Sequence, residues 1–161
     1  MHENILTTYT AASIDAITSP LREQGRKIVF TNGVFDILHL GHVDYLTKAK
    51  ALGDVLIVGV NSDNSVKKFK SPSRPVQPEQ DRLQIVAALK PVDFVILFEE
   101  ETPEKLIKLV RPDMLVKGAD YKESEIVGVE FVKSYGGTVQ RIDLAPGRST
   151  TAIIKKIKDL P

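Results

Sequence analysis

The sequence predicts an α/β fold: a doubly wound, five-stranded parallel sheet with an added N-terminal helix. Three observations carry that expectation. Short continuous apolar runs rich in β-branched residues, such as Val55-Leu56-Ile57-Val58-Gly59-Val60, have the composition of strands covered on both faces. Between these runs lie segments with apolar residues at helical spacing, so strand and helix alternate along the chain. Polar clusters, several with glycine, follow the strands at the carboxyl edge, where open α/β sheets bind their ligands.

Taken in order, Met1 to Gln24 starts polar and from Ala11 carries Ile14, Ile17 and Leu21 at helical spacing until Gly25, which predicts a helix packed on the sheet. Ile28 to Thr31 is the first strand, and Val43 to Leu52, stopped by Gly53, the helix after it. Val55 to Val60 is the second strand, ended by Asn61-Ser62-Asp63. Asn64 to Pro78 holds three prolines with Lys67, Lys68, Lys70 and Arg74, and reads as a long basic loop suited to closing over phosphates. Pro78 to Leu89 is a helix with Arg82 in its first half. A cation there opposes the helix dipole and calls for a partner, a bound phosphate or else Glu79 or Asp81. Phe94 to Leu97 is the third strand, and Thr102-Pro103 opens the following helix as N-cap and first residue. Met114 to Val116 is the fourth strand, running into Lys117-Gly118-Ala119-Asp120-Tyr121. A helix from Ser124 to Tyr135, a fifth strand from Thr138 to Ile142 and a helix from Ala152 to Lys158 complete the chain. Right-handed crossovers then give the strand order 3-2-1-4-5, with the ligand crevice between strands one and four.

With 161 residues the chain makes one domain, 1–161, large enough for a single core. Its net charge of +1, with acids and bases interspersed, offers no footprint for nucleic acid or an acidic membrane. The longest clean apolar run, Val55 to Val60, is far short of the ~20 residues of a membrane span, and no leader pattern opens the chain, so a cytoplasmic protein is expected. The absence of cysteine excludes disulfides, thiolate catalysis and zinc-thiolate sites.

The most informative stretch is Thr31-Asn32-Gly33-Val34-Phe35-Asp36-Ile37-Leu38-His39-Leu40-Gly41-His42. It joins a strand to a helix, and the first N–H groups of that helix have no partner within it and carry the positive end of its dipole. Gly33 and Gly41 remove Cβ atoms that would hold an anion away, so the turn suits a phosphate. His39 and His42 stand three apart, and either imidazole can donate an N–H to a phosphate oxygen. An H-x-x-H pair is also compatible with a packed or solvated pair, and a metal pair finds only His2 as a further histidine. A second anion site is suggested by Ala145-Pro146-Gly147-Arg148-Ser149-Thr150-Thr151 ahead of the last helix, where a plain Ser/Thr N-cap is the alternative. No other phosphate-loop pattern occurs.

Gly33-Val34-Phe35-Asp36 followed by His39-Leu40-Gly41-His42 resembles the signature of the cytidylyltransferase-like nucleotidyltransferases. In that family the H-x-G-H motif opens the first helix of a Rossmann-like domain. Ser149-Thr150-Thr151 resembles the end of the family's second signature, although Arg148 here directly precedes the serine. Asn61-Ser62-Asp63, Ser73-Arg74-Pro75-Val76, Phe98 to Pro103, Pro112-Asp113 and Val116 to Tyr121 are similar to the adenylyltransferase family of ADP-heptose synthesis, in its stand-alone form without a kinase segment.

The resemblance implies transfer of an adenylyl group from ATP, with Mg²⁺, to a sugar 1-phosphate, D-glycero-β-D-manno-heptose 1-phosphate, on the route to the lipopolysaccharide inner core. It implies catalytic roles for His39, His42, Lys70 and Arg82. ATP would be bound by Thr31, Asn32, Gly33, Val34, Phe35, Asp36, Gly41, His42, Lys117, Gly118, Asp120, Ser149, Thr150 and Thr151. The acceptor would meet Asn61, Asp63, Lys67, Lys68 and Arg148. No protein metal site is implied: Mg²⁺ would ride on the phosphates, with Asp36 either touching it through water or orienting the turn. A homo-oligomer, dimer or higher, belongs to the same expectation. A cytidylyltransferase acting on glycerol 3-phosphate, a flavin-forming adenylyltransferase and a nucleotide-binding module without turnover are the alternatives.

Overall fold

The computed structural model describes residues 4–160, so His2 lies outside the described residues. Its centre is a parallel sheet of six strands: β1 (Ile5–Leu6), β2 (Ile28–Gly33), β3 (Val55–Asn61), β4 (Phe94–Phe98), β5 (Met114–Gly118) and β6 (Thr138–Ile142), in the order β1-β4-β3-β2-β5-β6. The five-strand expectation is therefore corrected to six. The strands foreseen keep their relative order, and β1 extends the sheet beyond β4, pairing Ile5 with Val95 and Leu6 with Ile96. Two residues are too few to show an alternation, so this strand left no periodic signal.

Alternate residues of each strand feed two apolar layers, as the period-two geometry of a strand requires. Ile28 and Phe30 of β2, with Ile57 of β3 and Ile96 of β4, face helices α1 (Ala11–Glu23), α5 (Glu104–Val110) and α6 (Val129–Ser134). Val29, Leu56, Val58 and Val95 face α2 (Leu40–Lys50) and α4 (Glu79–Ala87). Both faces are covered, which explains why β3 reads as an unbroken apolar run and is buried along its whole length.

Several helix boundaries depart from the sequence reading. The stretch read as a loop from Asn64 begins as a helix, α3 (Asp63–Phe69): Ser62 caps it by accepting from Ser65 N–H, and Ser65 and Val66 are buried. Helix α2 starts at Leu40 rather than Val43, with His39 as its N-cap. Pro103, not Thr102, is the N-cap of α5. The helix expected from Ser124 is a short 3-10 turn, Glu123–Glu125, separated from α6 by Gly128 at φ +90°. That left-handed backbone breaks the helix, and glycine adopts it without strain. The last helix, α7 (Thr150–Lys158), starts two residues early, capped by Ser149. No helix among the described residues is long and apolar enough to cross a membrane.

Candidate active site

The carboxyl ends of β2, β3 and β5 open into a cleft of about 580 Å³. At its centre is the turn from β2 to α2. His39 takes the N-cap position of α2, and its Nδ1 accepts the Gly41 N–H at 3.1 Å. His42, one turn on, accepts the His39 N–H through its own Nδ1 at 3.4 Å. The rings stack with centroids 4.0 Å apart. Because each Nδ1 accepts, each neutral ring carries its proton on Nε2, the nitrogen left for a ligand. Burial pushes the His42 pKa down to about 4, with His39 beside it adding to the shift. Burial and then the Arg148 charge also lower His39. The turn thus presents two neutral N–H donors at neutral pH. Gly41 is needed for this arrangement, since a Cβ there would lie 2.9 Å from the His39 ring and 3.1 Å from Arg148 Cβ.

The turn is held by Asp36, whose side chain is 1% exposed. Its Oδ2 accepts from Arg74 Nε at 2.9 Å, Arg74 Nη2 at 2.8 Å and Val76 N–H at 2.9 Å, and its Oδ1 from Gln77 N–H at 3.0 Å. Burial alone would raise the pKa of this carboxyl, but the Val76 and Gln77 N–H groups and Arg74 outweigh it and hold the group below its usual range. The flanking residues Phe35 and Ile37 have φ of +52° and +47°. Left-handed backbone at non-glycine residues costs roughly 1–2 kcal/mol each. The Asp36 contacts, with Gln77 Oε1 accepting the Ile37 N–H at 2.9 Å, hold the turn in that shape. Thr150 Oγ1 donates to the Asp36 carbonyl at 2.6 Å and so ties α7 to the same point. With three protein donors on Oδ2 and one on Oδ1, Asp36 ties the turn to residues 74–77. Among the described residues no three His, Asp or Glu side chains gather to hold a metal.

Most residues singled out in the sequence line this cleft: Asn32 to Asp36, His39, Gly41, His42, Asn61, Lys70, Lys117, Gly118, Asp120, Arg148 and Ser149 to Thr151. Lys117 Nζ donates to Asn32 O at 3.2 Å and Asn32 Oδ1 at 3.0 Å, 5.1 Å from the Tyr121 ring centroid. Burial lowers its pKa to about 8, with Asp120 opposing the shift. Ser149 is the plain N-cap of the alternative reading, accepting from Ala152 N–H at 3.1 Å, and it lines the cleft as well.

Five residues lie outside the cleft lining. Thr31 is buried and shares a 2.7 Å hydrogen bond with Tyr45 Oη. Lys67 and Lys68 are exposed on α3. Arg82 is 0% exposed, and the carboxylate at its head is Asp63, a correction to the Glu79 or Asp81 expected. Its guanidinium donates to Val34 O at 2.6 Å, Asn61 O at 2.8 Å, Gln77 O at 3.1 Å and Asp63 Oδ1 at 2.7 Å. Arg82 and Asp63 therefore form a post beneath the cleft, joining the ends of β2 and β3. An arginine fork can satisfy four acceptors at once, whereas spacing within a helix says nothing of partners 19 and 48 residues away. The cleft also takes in Arg74, Phe69, Glu101, Tyr121 and Leu144, which the sequence reading did not assign to the site. Arg74 had a signal, its place in the basic loop, and Glu101 had another, its place in the stretch Phe98 to Pro103.

Comparison with known proteins places these features in context. The cytidylyltransferase-like family model matches residues 30–156. The bifunctional protein HldE of a Nitratiruptor species is 56% identical over 145 residues, which are 90% of this chain and 30% of that protein. The chain spans about three tenths of the length of the curated relatives it matches. Among solved structures, a lipopolysaccharide core biosynthesis protein from Thermoplasma volcanium is 36% identical, with a TM-score of 0.61, over 75% of this chain and 98% of that one. The pantoate-beta-alanine ligase of Francisella tularensis shares the fold, with a TM-score of 0.63 at 20% identity, over 94% of this chain and 72% of that one.

Proposed function

The chain belongs to the cytidylyltransferase-like family and is a nucleotidyltransferase, and on that premise we propose that it transfers the adenylyl group of ATP to D-glycero-β-D-manno-heptose 1-phosphate. The products are ADP-D-glycero-β-D-manno-heptose and pyrophosphate, for the lipopolysaccharide inner core. The observation that carries the reaction type is the stacked His39–His42 pair, with both Nδ1 atoms occupied and both Nε2 atoms free at the N-terminus of α2. The choice of acceptor is supported by the sequence motifs shared with heptose adenylyltransferases. It also accords with the 36% identical neighbour named for lipopolysaccharide core biosynthesis.

A phosphate monoester is already an anionic nucleophile at neutral pH, so no general base is required. One of its oxygens attacks the α-phosphorus of ATP; the new P–O bond forms as the bond to the bridging oxygen breaks, and the electron pair leaves with pyrophosphate. The barrier lies in bringing anions together and in the charge that grows on the leaving group. His39 and His42 donate their Nε2 protons to triphosphate oxygens, and the α2 terminus adds its dipole. Lys70 and Arg74 flank the phosphates from the β3 side, and Lys117 and Arg148 from the β5 side. Mg²⁺, carried on the phosphate oxygens, would neutralise part of the leaving-group charge. A cytoplasmic setting goes with this reading.

The test is pyrophosphate release with Mg²⁺, pairing ATP or CTP with heptose 1-phosphate, glycerol 3-phosphate or no acceptor. Release with ATP and the heptose alone is the expected result. Release with CTP and glycerol 3-phosphate would overturn the substrates and leave the mechanism standing.

A further inference from the structure

The cleft has a cationic centre and an unpaired carboxylate at each end, and the sheet order separates the two ends. On the β5–β6 side lie Lys117, Asp120, Tyr121 and Leu144; on the other, at the end of β3 and the connection from β4 to α5, lie Asn61, Phe69 and Glu101. The strand order reverses between β2 and β5, and open α/β sheets take their nucleotide at that switch point. The β3–β4 end is then left for the acceptor.

We propose that Glu101 is a specificity-determining residue that accepts hydrogen bonds from hydroxyl groups of the acceptor, in a subsite shared with Asn61 and Phe69. The proposal rests on the reading of the chain as a sugar-phosphate nucleotidyltransferase. Among the described residues no cation or N–H group pairs with the Glu101 carboxylate; the nearby Lys105 pairs with Glu100 instead, at 3.0 Å. A free carboxylate repels phosphate, and at the β3–β4 end, away from the β2–α2 turn proposed to hold the phosphates and their Mg²⁺, it suits a neutral group that donates. Asn61 supplies a second acceptor. Ser65 Oγ gives its proton to Glu100 O at 3.1 Å, so it must receive the 3.0 Å bond from Asn61 Nδ2, which leaves Asn61 Oδ1 as the free amide atom. Phe69, 51% exposed at the same end, offers an apolar face of the kind that covers the C–H side of a sugar ring. Two acceptors beside an aromatic face match a ligand rich in hydroxyls. They match neither a carboxylate nor a second phosphate.

The experiment measures steady-state kinetics of wild type, Glu101→Ala and Glu101→Gln with ATP, using heptose 1-phosphate and glycerol 3-phosphate as acceptors. Loss of hydrogen bonds to a charged group should raise the heptose KM roughly 10- to 100-fold in Glu101→Ala. The KM for ATP should stay within about two-fold, and the preference for the heptose over the shorter acceptor should shrink. Glu101→Gln, which keeps the shape and one acceptor oxygen, should fall between. An unchanged heptose KM, or equal rises in both KM values, would overturn the role of Glu101 and leave the proposed function intact. Absence of turnover by the wild type with any sugar 1-phosphate would overturn that function, and this subsite with it.

Discussion

Replacing Asp36 by asparagine tests how the candidate site is held. The carboxylate receives four N–H bonds of 2.8 to 3.0 Å on a side chain 1% exposed. Asparagine keeps one acceptor oxygen and turns an NH₂ group toward protein donors, so at least one of them loses its partner. The Arg74 guanidinium, whose side chain is 16% exposed, loses its counter-charge. Breaking a buried pair costs ~3–5 kcal/mol, and the partial access of Arg74 to water puts the expected loss near ~3 kcal/mol. Against a domain stability of ~5–15 kcal/mol the variant still folds. Urea denaturation of both proteins across a pH series reads the effect. The folded-state pKa of Asp36 is depressed, so its contribution is complete above the ordinary aspartate value of 3.8 and is lost as pH falls through the lower folded value. The gap between wild type and Asp36→Asn should therefore be constant from pH 7 to about 5 and close in stronger acid. A difference below about 0.5 kcal/mol at pH 7, or one that persists unchanged into acid, would refute this account of the turn.

Four further outcomes follow from the geometry. His39→Asn keeps an N-cap acceptor, so stability should hold within about 1 kcal/mol, while kcat falls roughly 100- to 1000-fold and nucleotide affinity changes far less; stopped-flow and equilibrium binding separate the two. Gly41→Ala gains up to ~1 kcal/mol of helix propensity but displaces the His39 ring and with it an N-cap bond of about 1 kcal/mol, so stability should stay within about 1 kcal/mol of wild type while the reaction slows, as paired melting and rate measurements would show. Arg82→Lys offers one point charge where four acceptors wait, so denaturation should show a loss of roughly 2–4 kcal/mol; a stable variant with selectively lost activity would instead return Arg82 to the chemistry. NMR titration of the imidazole protons should find His42 neutral down to about pH 4. Because the folded protein resists that proton while the unfolded chain accepts it near 6.5, stability falls as pH drops from about 6.5 toward 4.

The layered sheet was readable because burial on both faces writes itself into composition: β3 has no polar residue before Asn61, and α1 shows Ile14 and Leu21 at helical spacing. The shape of the β2–α2 turn was readable for a different reason, since glycines and histidines close in sequence act on the same few ångströms of backbone. What escaped was of two kinds. Elements too short for a period, such as β1 and α3, carry no statistical signal. Partnerships across the chain, Asp36 with Arg74 and Arg82 with Asp63, depend on which loops the fold brings together. Arg82 illustrates the second limit: a helix-terminal arginine reads alike whether it holds a ligand or its own scaffold, and only its buried position distinguishes the two.

The knot around Asp36 binds three separate stretches of chain, the β2–α2 turn, residues 74–77 and the start of α7. None of its bonds reaches the connection from β4 to α5 that carries Glu101. On the role proposed for Glu101, drift in that connection would retune which alcohol-bearing partner is welcomed while the Asp36 contacts stay fixed. A scaffold partitioned in this way can diversify its customers one loop at a time.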